Sequence, residues 1–111
     1  MAWNELHIFS ESLGMQTTVH VLIPQNKTSG EIGVNNKTCS NKYKCLYLLH
    51  GLSDDQSIWH RRTSIERYAQ EYGICVVMPC GGRSFYTDMK YGGKYYCNVP
   101  KSTKQPFSQF A

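Results

Sequence analysis

Polar and apolar positions alternate from the first residues: Trp3, Glu5, His7 and Phe9 interleave with Asn4, Leu6, Ile8 and Ser10. A two-residue period with both classes mixed predicts a strand at or next to the edge of a sheet rather than at its centre. After a turn at Leu13-Gly14, residues 16–23 carry Thr17, Thr18, Val19, Val21 and Ile23, whose β-branched side chains favour extended backbone, and Pro24 ends the run. Two antiparallel strands are therefore expected to open the chain. Residues 25–43 are mostly Asn, Lys, Ser, Thr and Gly, which predicts a long polar loop.

The pattern then changes. Cys45-Leu46-Tyr47-Leu48-Leu49 and Ile74-Cys75-Val76-Val77-Met78 are continuous apolar runs, the first stopped by His50-Gly51 and the second by Pro79. Such runs are expected of parallel strands buried on both faces. Between them, Thr63-Ser64-Ile65-Glu66 has the spacing of a capping box, and Ile65, Tyr68, Ala69 and Tyr72 recur at helical intervals before Gly73 supplies a stop. A right-handed crossover of this kind covers one face of a parallel sheet. The fold class is accordingly α/β, with antiparallel opening strands followed by a parallel strand-helix-strand unit.

Composition narrows the possibilities. The 111 residues, with 12 Lys+Arg against 8 Asp+Glu, a net charge of +4 and 41% hydrophobic residues, describe one globular unit. No window approaches the ~18 consecutive apolar residues of a membrane span. The start, Met1-Ala2-Trp3-Asn4-Glu5, has neither the basic nor the apolar region of a secretory leader, so a cytoplasmic location is expected, and the sequons at Asn26 and Asn36 indicate surface loop alone. Cys39, Cys45, Cys75, Cys80 and Cys97 are odd in number and contain no C-x-x-C pair, which favours reduced, packing thiols over a disulfide framework or a zinc site. The pairs Gly81-Gly82 and Gly92-Gly93 match neither a dinucleotide nor a phosphate-loop fingerprint, so turn chemistry suffices for them, and with no metal motif elsewhere neither cofactor nor metal is expected.

Ligands of an open α/β sheet sit outside the carboxyl ends of its strands, where residues 50–57 and 79–93 emerge. In His50-Gly51-Leu52-Ser53-Asp54-Asp55, the glycine lets the backbone turn so that the next N–H, that of Leu52, can face a developing oxyanion; an ordinary strand-to-helix turn would use the same residues. In the second loop, Arg83-Ser84-Phe85-Tyr86-Thr87-Asp88 sets two aromatic rings beside a carboxylate.

Taken together, residues 46–55, Ile58-Trp59, residues 61–68, Val76-Val77-Met78-Pro79 and Ser84-Phe85-Tyr86-Thr87-Asp88 resemble the putative esterase family of α/β-hydrolases, over roughly residues 3–96. The likeness is strongest to its acetyl and tributyrin esterase branch, related to S-formylglutathione hydrolases and mycolyltransferases. The resemblance implies a serine-type carboxylic ester hydrolase acting on short acyl esters or thioesters, with no nucleic-acid or membrane partner. It implies an oxyanion-hole N–H at Leu52 and a substrate pocket shaped by Gly51, Ser84, Phe85, Tyr86 and Asp88. His50 is then a turn-stabilising side chain rather than the base, and Asp54 and Asp55 are loop carboxylates, because the triad acid follows the nucleophile in chain order. Asp88 either orders its loop or is simply solvated. His7, His20 and His60 are expected to be satisfied or solvated.

One departure is decisive for activity. No G-x-S-x-G segment occurs, and Gly82-Arg83-Ser84-Phe85-Tyr86 places a tyrosine where the second glycine of an elbow would stand. A serine hydroxyl is too weak a nucleophile without a base and an oriented imidazole. The expectation is that residues 1–96 form the N-terminal portion of the hydrolase fold, incomplete, that 97–111, with Pro100 and Pro106, are a divergent or out-of-frame tail, and that the chain is a truncated, inactive piece. The alternative is a small basic nucleic-acid-binding module. It would use Lys42, Lys44, Arg61, Arg62, Arg67, Lys90, Lys94, Lys101 and Lys104 among Tyr43, Tyr47, Tyr86, Tyr91 and Tyr95, and would need them on one face.

Overall fold

The computed structural model describes residues 1–25 and 43–96, so the expectations for the polar loop and for the tail lie outside the described residues. β1 (Ala2–Ser10) and β2 (Met15–Ile23) form the antiparallel opening pair. Their turn closes through the Gly14 N–H on the Ser10 carbonyl at 2.8 Å, with Gly14 at φ +67°, a left-handed conformation that glycine adopts at little cost. β4 (Ile74–Pro79) lies between β2, to which it is antiparallel, and β3 (Lys44–Tyr47), to which it is parallel. The sheet order is thus β1-β2-β4-β3, with β1 at one edge as its mixed alternation requires. α1 (Ile58–Arg62) and α2 (Ile65–Tyr72) make the crossover from β3 to β4. None of the helices among the described residues is long and apolar enough to cross a membrane.

This topology gathers the carboxyl ends of β3 and β4 and the β1–β2 turn at one end of the sheet. β4 is the keystone, because its alternate side chains enter both cores. Cys75 and Val77 join Val19, Val21 and Ile23 on one face, against which Ala2, Leu6, Ile8 and Tyr43 pack. Val76 and Met78 join Leu22 and Ala69 on the other, under Met1, Leu48, Trp59, Ile65 and Ile74. Each fully buried aliphatic side chain contributes about 1.5–3 kcal/mol, so most of the stability of this unit is concentrated along β2 and β4.

Three expectations are corrected. The first apolar run is not buried on both faces: β3 is four residues long and exposed throughout, with Leu46, Tyr47 and Leu49 each about 40% accessible. Among the described residues β3 pairs only with β4, so nothing shields its outer edge. The capping box does not form either. Ser64 is the N-cap without a side-chain bond, the Thr63 hydroxyl donates back to the Trp59 carbonyl and so closes α1, and Glu66 turns to His60 at 3.0 Å. Thr63, extended at φ −136° and ψ 167°, separates α1 from α2. On α2 the buried side is Ala69 and Gln70 with Ile65 half-buried, while Tyr68 and Tyr72 face outward. Gly73 does end the helix, at φ +64°, with its N–H on the Ala69 and Gln70 carbonyls.

Gln70 tolerates burial because its amide is spent on one backbone position. Its Oε1 accepts the Gln25 N–H at 3.1 Å and its Nε2 donates to the Gln25 carbonyl at 3.0 Å. The helix therefore clamps the chain where it leaves β2, after Pro24. A buried amide left unpaired would cost about 1–3 kcal/mol, so both bonds are needed together.

His20 is neither solvated nor fully satisfied. It is buried on β2 opposite Glu5, whose carboxylate lies 3.5 Å from Nε2, it meets the Trp3 ring edge-on, and its Nδ1 finds no partner among the described residues. The other face of the Trp3 environment is closed by His60, stacked on the indole at 5.3 Å. Burial pushes the His20 ring below its ordinary value of 6.5, against the opposing pull of Glu5 and, more weakly, Asp55, while His60 adds to the depression. The folded chain thus binds this proton less readily than the unfolded chain. The stability it contributes is complete above the unfolded value of 6.5 and is lost as pH falls through the window below it. The urea midpoint should fall between about pH 8 and about pH 5.5, and His20→Leu should flatten that slope. An unchanged slope in the variant would show that other groups govern the acid limb.

Candidate active site

The two loops beyond β3 and β4 are joined by one imidazole. β3 register continues past its last residue through the Leu48 N–H on the Val77 carbonyl at 3.0 Å, and the Trp59 indole N–H holds the Leu49 carbonyl at 3.1 Å. His50 follows, 5% exposed. The Gly81 backbone N–H donates to its Nε2 at 2.9 Å, and its Nδ1 lies 2.7 Å from the Gly51 carbonyl. A ring nitrogen that accepts from a peptide N–H carries no proton, so the hydrogen sits on Nδ1 and donates to Gly51. His50 is a neutral bridge of fixed tautomer with neither nitrogen open for acid–base work. The Gly51 carbonyl also accepts the Asp54 N–H at 3.2 Å, which closes the turn around Leu52 and Ser53.

The second loop grips the first from the other side. The Tyr86 hydroxyl donates to the His50 carbonyl at 3.0 Å, and the two rings meet at 5.6 Å. Burial pushes the Tyr86 phenol above its ordinary value, the His50 hydrogen bond pulling the other way, and it stays a donor. The Tyr86 ring lies against Gly81 so closely that a Cβ there would fall 2.3 Å from Cε1. The glycine is thus required by close approach of a ring.

Ser84 organises this loop from within. It is buried, its hydroxyl donates to the Gly81 carbonyl at 2.6 Å and accepts the Tyr86 N–H at 3.1 Å. Its carbonyl accepts both the Thr87 N–H at 3.2 Å and the Thr87 hydroxyl at 2.9 Å. Between them Phe85 and Tyr86 stand at φ +51° and +55°. Two successive left-handed residues bridged by a four-residue hydrogen bond have the φ pattern of a type I′ turn, a conformation that Gly and Asn normally supply. For non-glycine residues it costs about 1–2 kcal/mol each. The ties from Ser84, Thr87 and Tyr86 hold the turn in place, and the ring of Phe85 is left 77% exposed.

The residues singled out from sequence fall as follows. Gly51 and Leu52 are exposed in the first turn, Ser84 is buried, Tyr86 is half-buried, and Phe85 and Asp88 are exposed on the second loop. Gly51, Ser84 and Tyr86 belong to one hydrogen-bonded assembly with His50, whereas Asp88 lies further along, opposite Lys94. Asp55 orders the first loop: its carboxylate accepts the Ser57 N–H at 2.9 Å and the Ser57 hydroxyl, and Ser57 Oγ in turn takes the Arg61 Nε at 3.0 Å. The Ser57 hydroxyl is the main reason its carboxyl sits below the ordinary range. The residue that sequence reasoning undervalued is Gly81, read there as turn chemistry alone, whose backbone N–H bonds His50 and whose missing Cβ admits the Tyr86 ring. The signal was Tyr86 five residues on, a bulky ring in a glycine-rich stretch. The basic residues among those described are dispersed, Lys44 on β3, Arg61 and Arg62 on α1, Arg67 on α2 over the Tyr68 ring, Lys90 on the second loop and Lys94 just past it, while Lys42, Lys101 and Lys104 lie outside the described residues.

A four-strand sheet of this order, with a parallel β3-helix-β4 crossover and two interlocked loops at its carboxyl end, is the opening part of an α/β-hydrolase fold. The model of the family described as putative esterase matches residues 10–109, and the chain belongs to that family. It is 28% identical over 96 residues to an acetyl esterase of Caldicellulosiruptor saccharolyticus, covering 86% of this chain and 35% of that protein. Its fold superposes with a TM-score of 0.79 and 34% identity on FphF, a fluorophosphonate-binding serine hydrolase of Staphylococcus aureus solved with substrate bound, over 99% of this chain and 41% of that one. With FrmB, the S-formylglutathione hydrolase of the same organism, the TM-score is 0.70 and the identity 36%, over 91% of this chain and 38% of that one. The chain thus spans about two-fifths of the length of these solved relatives and about one-third of the acetyl esterase.

The interlock makes two substitutions diverge. Gly81→Ala should destabilise by about 3 kcal/mol, because the Tyr86 ring cannot yield without releasing the His50 carbonyl. Tyr86→Phe removes one hydrogen bond and should cost only about 1 kcal/mol. Phe85→Asn, at an exposed left-handed position, should instead raise stability by about 1 kcal/mol. Chemical denaturation of the three variants orders them; a Gly81→Ala protein as stable as the parent would contradict the ring contact.

Proposed function

We propose that this chain supplies the oxyanion-stabilising section of a serine ester hydrolase acting on short acyl esters or thioesters, and that by itself it does not hydrolyse them. The observation that carries the reading is the Leu52 N–H. It stands in an exposed turn fixed on one side by the His50–Gly51 bond and on the other by Asp54, and among the described residues it donates to no protein acceptor. A peptide donor held rigidly and left uncommitted can accept the negative charge that develops on a carbonyl oxygen during acyl transfer, and it needs no reorganisation at that moment. His50 serves as a positioning residue, since its two ring nitrogens fix the spacing between the Leu52 turn and the Gly81 loop.

Phe85 would provide an apolar wall for the acyl or alcohol portion, with Tyr86 below it, and the strain of that turn is consistent with a surface held for binding. Membership of the esterase family and likeness to a staphylococcal serine hydrolase and a staphylococcal S-formylglutathione hydrolase support ester hydrolysis as the reaction class. The lack of a G-x-S-x-G segment supports inactivity of the separate chain, because the attacking hydroxyl, its base and the orienting acid must come from other residues. Gly51, in the Leu52 turn, and Asp88, further along the second loop, are the remaining residues of the proposed site.

The test is a chimera in which residues 1–96 replace the matching section of FrmB, assayed with p-nitrophenyl acetate beside the separate chain. The separate chain should show neither turnover nor labelling by a fluorophosphonate probe. The folded chimera should hydrolyse the ester, and Leu52→Pro, which removes the N–H, should lower kcat by about 10²–10³-fold. A folded chimera whose kcat is indifferent to Leu52→Pro would overturn the role of that donor.

A further inference from the structure

Away from the loops, at the amino-terminal end of the parallel pair, two thiols face each other. Cys45 on β3 and Cys75 on β4 are register partners, and residues paired in this way lie about 4.8 Å apart, the spacing of neighbouring strands. That falls inside the ~4.4–6.8 Å range of Cα separations a disulfide spans. Paired residues of parallel strands project to the same face, and here it is the face of Val21 and Val77. Both cysteines are free, and they differ in access: Cys45 is exposed, Cys75 is buried. The two thiols are close enough for Cys45 to influence Cys75.

We propose that Cys45 and Cys75 are a reversible redox pair, a modification site at which exchange with a small-molecule disulfide of the glutathione type ties β3 to β4. The Cys45 thiolate attacks one sulfur of the disulfide, and the departing thiolate takes up the proton that Cys45 lost. The Cys75 sulfur then displaces the second thiolate from Cys45 Sγ, its own proton going to that leaving group. Two protein thiols are oxidised to one disulfide, and one molecule of the small disulfide is reduced to two thiols.

The asymmetry of the pair assigns the order of these steps. Burial, with the neighbouring Cys45 adding to it, pushes the Cys75 thiol up to about 12, so Cys75 is not the group that meets a disulfide from solution. It acts in place, against a sulfur brought next to it. The product would pin the exposed edge strand, which among the described residues is held by β4 alone, and it would enclose the crossover helices and the His50 loop within one covalent ring. This inference is independent of the esterase reading.

The experiment treats the native protein with oxidised glutathione, alkylates the remaining thiols and maps tryptic peptides by tandem mass spectrometry. The expected product links residues 45–61 to residues 68–83, with fragmentation placing the bond on Cys75 rather than Cys80, and dithiothreitol reverses it. The oxidised protein should melt several degrees higher than the reduced one. In Cys75→Ser the reaction should stop at a glutathione adduct on Cys45. A native protein that keeps the adduct on Cys45 without closing the ring, that joins Cys45 to Cys80, or that is not modified at Cys45 would overturn the proposal.

Discussion

Everything at the carboxyl end of the sheet depends on the imidazole of His50 being neutral and fully committed. One ring nitrogen receives the Gly81 N–H and the other gives its hydrogen to Gly51, so two loops that leave adjacent parallel strands are tied through one buried side chain. A backbone link between them would need a further strand. The histidine does the same work without extending the sheet, and it leaves the Leu52 N–H turned to neither loop for a partner. Tyr86 closes the arrangement by bonding the His50 carbonyl, which is why a ring can occupy the space beside a glycine.

That arrangement is bought with local strain. Phe85 and Tyr86 occupy left-handed backbone normally given to Gly or Asn, at about 1–2 kcal/mol apiece. The compensating hydrogen bonds all converge on Ser84 and Gly81. A turn with Asn and Gly would be more stable but would present no aromatic surface. The cost is therefore confined to the one loop where an exposed ring has a use, while β2 and β4, with their cores on both faces, hold the rest of the unit together.

Much of the frame was legible in the sequence. Alternation marked β1 as an edge, β-branched residues marked β2, and the run at Ile74 marked a strand buried on both faces, because each of these patterns is imposed by burial of the strand's own side chains. The run at Cys45 misled because apolar content alone does not report burial: among the described residues β3 has a partner on one side only and is exposed. Long-range polar bonds were illegible. Gln70 is polar and lies on a helix, yet it is buried because it matches the backbone of Gln25, forty-five residues earlier. The capping box was a correct local pattern defeated by a tertiary one, since His60 offered Glu66 a better partner. His50 could be read as a turn residue, but its partner Gly81 could not, since that pairing exists only once β3 and β4 stand side by side.

The central claim, that His50 bridges the two loops as a neutral ring of defined tautomer, is tested most directly by long-range ¹H–¹⁵N correlation NMR of the imidazole near neutral pH. The expected spectrum has a protonated Nδ1 and an unprotonated Nε2 that shows a through-hydrogen-bond coupling to the Gly81 amide. A ring protonated on Nε2, or one exchanging between tautomers, would contradict the bridge and with it the positioning of the Leu52 turn.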